Sequence, residues 1–148
     1  MIDFKNKRIY KIMCMPGEYR IIWDVMTEEP IFRNAELYEA LAEEIDFKKW
    51  RNKYATKNKN LFQWDDDSIY QLKDPVNWDM VNALLKLNER LEDKIIYYWF
   101  DIDRTVDENF KWTHCPLSKE RLIDLGPAYP KINSFVSMQF PLIFPSPS

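Results

Sequence analysis

Tyr19, Ile21, Trp23 and Val25 alternate with Arg20 and Asp24, the two-residue period of a strand with one buried face. Ile9 to Cys14 reads as a partner strand. Met15-Pro16-Gly17-Glu18 joins them: proline presets the first central position of a type II turn and glycine takes the positive φ at the second. The pattern then changes period. Leu37, Leu41 and Ile45 recur every four residues, which predicts a helix over Ala35–Ile45 with Asn34 as its N-cap. Asp46 caps a continuation through Phe47, Trp50 and Tyr54.

Leu61–Trp64 and Ile69–Leu72 flank Asp65-Asp66-Asp67-Ser68 and read as a second hairpin with a polar loop. The sharpest helix start is Asp74 followed by Pro75, with Trp78, Val81, Leu84, Leu85 and Leu91 as the inward stripe. Ile95 to Phe100 is apolar without alternation, as a central strand buried on both faces requires. Phe110–Thr113 predicts a strand, Ser118 caps a short helix from Lys119 to Leu125, and Asn133–Phe140 predicts a last strand. The expectation is a single α+β domain over residues 1–139, an antiparallel or mixed sheet with two to four helices packed on it. Residues 140–148 are set apart as a Pro-rich C-terminal tail that cannot be helical.

Composition narrows the class. With 148 residues, 46% apolar and 30% charged, the chain is globular and buries about 70% of its unfolded surface in one core. A net charge of -3 is too mild to call for a polyanionic partner. Two distant cysteines make no disulfide framework, and the longest apolar run, Ile95 to Phe100, falls far short of the ~20 residues of a membrane helix. These features predict a cytoplasmic protein without a membrane association. One histidine, two cysteines and two glycines leave little for His-based nucleophilic catalysis, Cys/His metal clusters or phosphate-cradling loops.

Asp101-Ile102-Asp103-Arg104-Thr105 directly follows the buried apolar segment. This resembles the first motif of the haloacid dehalogenase-like phosphohydrolases, an apolar strand followed by Asp-x-Asp-x-Thr. The resemblance implies a metal-dependent phosphoesterase with Asp101 as nucleophile and Asp103 as general acid/base, Mg²⁺ bridging carboxylate and phosphate. It covers about twelve residues, and it departs from the family at Arg104, where a glycine is usual, and in lacking later lysine and acidic-pair motifs. Read as a calcium loop, the same segment offers Asp101, Asp103 and Asp107 but puts Val106 where glycine is needed and Trp112 where a bidentate glutamate is needed. Glu92-Asp93-Lys94 has the Glu-x-Lys spacing of some Mg²⁺ nucleases, but the tripeptide is so common at helix ends that the favoured reading is the end of one helix and the start of the next strand. His114 and Cys115, being adjacent, point to opposite faces of any strand.

Charge patterning offers two surfaces. Lys48, Lys49, Arg51, Lys53, Lys57 and Lys59, with Trp50 and Tyr54 between them, suit phosphate contacts with base stacking, although the adjoining acidic helix makes nucleic acid the less favoured partner. Glu36, Glu39 and Glu43, together with Trp64, Asp65, Asp66 and Asp67, form the preferred surface: acidic steering plus an aromatic anchor for a protein with a basic binding face. The expected function is therefore non-enzymatic binding of another protein in the manner of an inhibitor. A toxin-immunity protein and a phage-encoded antagonist of a host defence enzyme are the two types considered. No cofactor is called for.

Overall fold

The computed structural model describes residues 7–64, 66–100, 113–125 and 134–145. Seven strands form one mixed sheet: β1 (Arg8–Ile12), β2 (Ile22–Asp24), β3 (Glu29–Pro30), β4 (Lys94–Trp99), β5 (Ile123–Asp124), β6 (Ser134–Val136) and β7 (Leu142–Pro145), in the order β3-β2-β1-β4-β7-β6-β5. Three helices, α1 (Glu36–Ala42), α2 (Phe47–Trp64) and α3 (Pro75–Arg90), lie between β3 and β4 in sequence. The α+β class with a mixed sheet is as the sequence predicts.

The centre of the sheet is parallel. β1 runs alongside β4 from Arg8 opposite Lys94 to Ile12 opposite Tyr98, and β4 runs parallel to β7 at Tyr98–Leu142 and Trp99–Ile143. The outer pairings are antiparallel. Because successive strand residues point to opposite faces, β4 divides its side chains between two cores. Ile96 and Tyr98 join Ile12, Ile22, Leu142 and Phe144 beneath the helices, while Ile95 and Tyr97 join Ile9, Val136 and Ile143 on the other face. The unalternating run is thus a central strand buried on both sides. Lys11, only 3% exposed, also points to that second face, where its ammonium meets Glu28 at 2.9 Å and lies 4.4 Å from the centre of the Trp99 ring.

The first hairpin forms as its turn residues dictate. Gly17 sits at φ +79 and the Glu18 amide donates to the Met15 carbonyl at 3.1 Å. α3 begins as read, with Pro75 in its first turn and the Asp74 carboxylate accepting from the Val76 amide. Its buried stripe, however, is Val76, Asn77, Met80, Val81, Ala83, Leu84 and Leu87; Trp78, Leu85 and Leu91 are only half-buried. Asn88 on the same helix both donates to and accepts from the backbone of Ile96, at 2.9 Å each. β7 pairs with β4 only from Tyr98 onward, so this side chain supplies the hydrogen bonds that a longer strand would have made.

Four expectations are corrected. Asn34 is not the cap of α1: the helix is shorter, starts after Ala35 with no side-chain cap, and ends at Ala42. The 61–72 hairpin does not form, because α2 continues to Trp64 and only a single 3-10 turn, Ser68–Tyr70, follows. From Phe47 to Trp64 there is neither proline nor glycine, so nothing stops the helix. The helix expected over Lys119–Leu125 does not form. Lys119 adopts φ +67, its amide donates to the Cys115 carbonyl, and the chain doubles back so that His114 bridges Arg121. The predicted last strand splits into β6 and β7, with Ser137 to Pro141 as the bend between them, and part of the Pro-rich tail thereby enters the sheet as β7. The strand read at Phe110–Thr113 lies, apart from Thr113, outside the described residues.

Candidate functional site

α2 is 18 residues long, about 27 Å at 1.5 Å per residue, and a single residue of it, Trp50, is fully buried. Trp50 anchors the helix: its indole N–H donates to the Val76 carbonyl at 2.6 Å, and its ring stands edge-on to Tyr98 with centroids 6.1 Å apart. Asp46 caps the first turn by accepting from the Lys49 amide at 3.1 Å. Beyond it each turn keeps a half-buried residue as far as Leu61, and Phe62, Gln63 and Trp64 of the last turn are all exposed.

Phe62 is 79% exposed and Trp64 76%. Two residues apart on a helix, they project to nearly opposite flanks, so the last turn of α2 carries an exposed aromatic on each side. Beyond it, Asp66 accepts from the Ser68 amide at 3.0 Å, and that hydrogen bond holds its carboxyl below the usual carboxylate range. Asp67 accepts from the Gln71 side chain at 3.4 Å. Asp65 lies outside the described residues.

The acidic surface read from the sequence is not brought together. Glu36, Glu39 and Glu43 are exposed on α1, which precedes α2, whereas Trp64, Asp66 and Asp67 lie at its other end. Glu43 is further neutralised by Arg90 at 2.9 Å, and Arg90 also pairs with Glu44. The basic residues, in contrast, do share one element. Lys48, Lys49, Lys53 and Lys59 are exposed and make no ion pair among the described residues. The other two are engaged: Lys57 reaches Asp74 at 3.3 Å, and Arg51 lies 4.6 Å from the Tyr19 ring centre and donates to the Glu18 carbonyl.

Asp101, Asp103 and Asp107 lie outside the described residues. Among the described residues there is no group of three or more His, Cys, Asp or Glu that could hold a metal ion, and no helix is long and apolar enough to cross a membrane. His114 is exposed while Cys115 is buried, so the two do point apart. Cys14 is half-buried, and burial pushes its thiol up to about 12.

Phe62, like the equally exposed Phe32, is not among the candidate residues the sequence offers; the strand expected at Leu61–Trp64 hides it, although Trp50, Tyr54, Lys57 and Leu61 carry the spacing of a continuing helix. The chain matches no protein-family model, no curated protein and no solved structure.

Proposed function

We propose that this chain is a non-enzymatic binding protein that inserts the aromatic tip of α2 into a concave site on another protein. The observation that carries this reading is the exposure of Phe62 and Trp64 on one helix end. Burying such a side chain is worth about 1.5–3 kcal/mol, so the tip holds several kcal/mol that only a partner can realise. Exposed lysines and glutamates need no such explanation. Exposed aromatics flanked by polar groups have the composition of an interface anchor with a polar rim. Such an anchor suits occlusion of a partner's cleft, the act that an immunity protein or an antagonist of a defence enzyme performs. The contact surface differs from the acidic one read from sequence, and of the described members of that set Trp64, Asp66 and Asp67 belong to it or adjoin it in sequence.

A second reading rests on the four exposed lysines of α2 that make no ion pair among the described residues: this helix binds nucleic acid. One experiment separates the two. The immobilised chain is compared with Phe62→Ala/Trp64→Ala, with Lys48, Lys49, Lys53 and Lys59 changed to Glu, and with Glu36, Glu39 and Glu43 changed to Lys. The proposal expects one stoichiometric protein partner, lost only with the aromatic pair. Retention by the aromatic variant sinks it. Retarded oligonucleotide that is released by salt and lost in the lysine variant establishes the second reading instead.

A further inference from the structure

A cavity of about 180 Å³ lies where the carboxyl ends of the parallel strands β1 and β4 meet the inner side of α2. Such strand ends are where open sheets with parallel strands place ligands. Its walls are aromatic: Trp50, Tyr54, Tyr70, Tyr98 and Trp99 all contribute. Among the described residues no formally charged side chain lines it, so these walls offer an ionic ligand no counterion for the hydration it would lose. The thiol of Cys14 and the hydroxyl of Tyr54, both raised by burial, stay neutral at physiological pH.

The polar groups at the cavity are of two kinds. Asn77 is fully committed: its amide donates to the carbonyls of Ile69 and Gln71 at 2.9 and 2.8 Å, and its oxygen accepts from the Tyr98 hydroxyl at 2.5 Å. That fixes the Tyr98 proton on Asn77 and leaves the hydroxyl oxygen as an acceptor. Tyr54 and Asn58 line the same cavity, and neither side chain makes a hydrogen bond among the described residues. Asn58 brings both donor and acceptor, and Tyr54 either.

Size sets the last constraint. A cavity of about 150 Å³ admits benzene, so this one holds a single six-membered ring with its substituents. We propose that the cavity binds a neutral single-ring heterocycle with a lactam edge, the chemistry of a uracil or thymine base, stacked on the aromatic walls and hydrogen-bonded to Asn58, Tyr54 and Tyr98. The base arrives either free or as a residue of a single-stranded nucleic acid. The inference does not rest on the reading of the α2 tip, which lies further along the helix.

The test is titration of the full chain with uracil, adenine, benzene, oligo-dT and oligo-dA, read by saturation-transfer NMR and by thermal melting. Uracil is expected to bind, about tenfold more weakly to Tyr54→Phe, which keeps the ring packing, and not detectably to Asn58→Leu, which keeps a helix former of similar size. Oligo-dT binding more than a hundredfold tighter than uracil, with oligo-dA inactive, assigns the base to a nucleic acid; comparable affinities assign it to a free ligand. Three results overturn the proposal: no uracil signal from a cooperatively melting protein, benzene bound as tightly as uracil, or adenine bound at least as tightly.

Discussion

Cys14 shows how far one residue's behaviour follows from its surroundings. Burial disfavours the thiolate and lifts the thiol to about 12, with Arg51 opposing only in part. A thiol raised this far has less than a thousandth of the thiolate of an ordinary cysteine at pH 8, partly offset because a more basic thiolate is a better nucleophile. The expected outcome is that Cys14 reacts with a disulfide reagent about a hundredfold slower in native protein than in denaturant. The sign extends to pH. Between pH 8 and 9 the native rate should climb about tenfold, whereas that of the unfolded thiol, already near its pKa, should climb about threefold. Stopped-flow measurement on a Cys115→Ser background checks both, and a native rate equal to the unfolded one would contradict the burial seen here. The exposure of Phe62 was illegible in sequence for a different reason. Whether an aromatic faces core or solvent depends on which elements reach over it, and Leu61–Trp64 has the composition of either a strand or a helix end.

At the scale of elements, punctuation was read correctly and its absence was not. Pro16-Gly17 and Asp74-Pro75 each fix a backbone geometry locally, and both the first hairpin and the start of α3 appear where those residues place them. The helix expected after Ser118 had only a cap residue and a short apolar pattern in its favour, and pairing with Thr113–Cys115 outweighed them. Long-range pairings of this kind leave no local trace. Asn88 is another case: a polar residue on a helix whose role is set by a gap between two strands. Asn88→Ala leaves the amide and carbonyl of Ile96 without their partner, and each such group costs about 1–3 kcal/mol when buried. Urea denaturation should show a loss of about 2–4 kcal/mol at unchanged slope. A loss below about 0.5 kcal/mol would mean that water takes the place of Asn88.

For the molecule as a whole, the α+β class followed from period alone, but the strand order did not. Nothing in Leu142–Pro145, bracketed by prolines, distinguishes a tail from the strand that joins β4 to β6. Pro141 and Pro145 sit at the margins of β7, where a missing N–H is tolerated, and that is why a proline-bearing segment still enters the sheet. Removing residues 141–148 takes away β7, the strand that joins β4 to β6, so the truncated chain should lose its cooperative thermal transition by circular dichroism. A cooperative melt within a few degrees of the full chain would show β7 to be dispensable. The candidate sites were legible in part. Trp64 and the lysines of α2 were singled out in the sequence, whereas the cavity, assembled from β1, α2, α3 and β4, has no signature along the chain.

The register of β1 against β4 also bears on how this chain is made. Arg8 faces Lys94, so all three helices are synthesised between one half of the central pairing and the other. During vectorial synthesis the first hairpin emerges with Ile9 and Ile12 uncovered and one strand edge open. Open apolar edges are where chains pair wrongly, and pairings of high sequence separation form slowly. The nascent β1 edge is therefore the point at which crowded translation most endangers this fold.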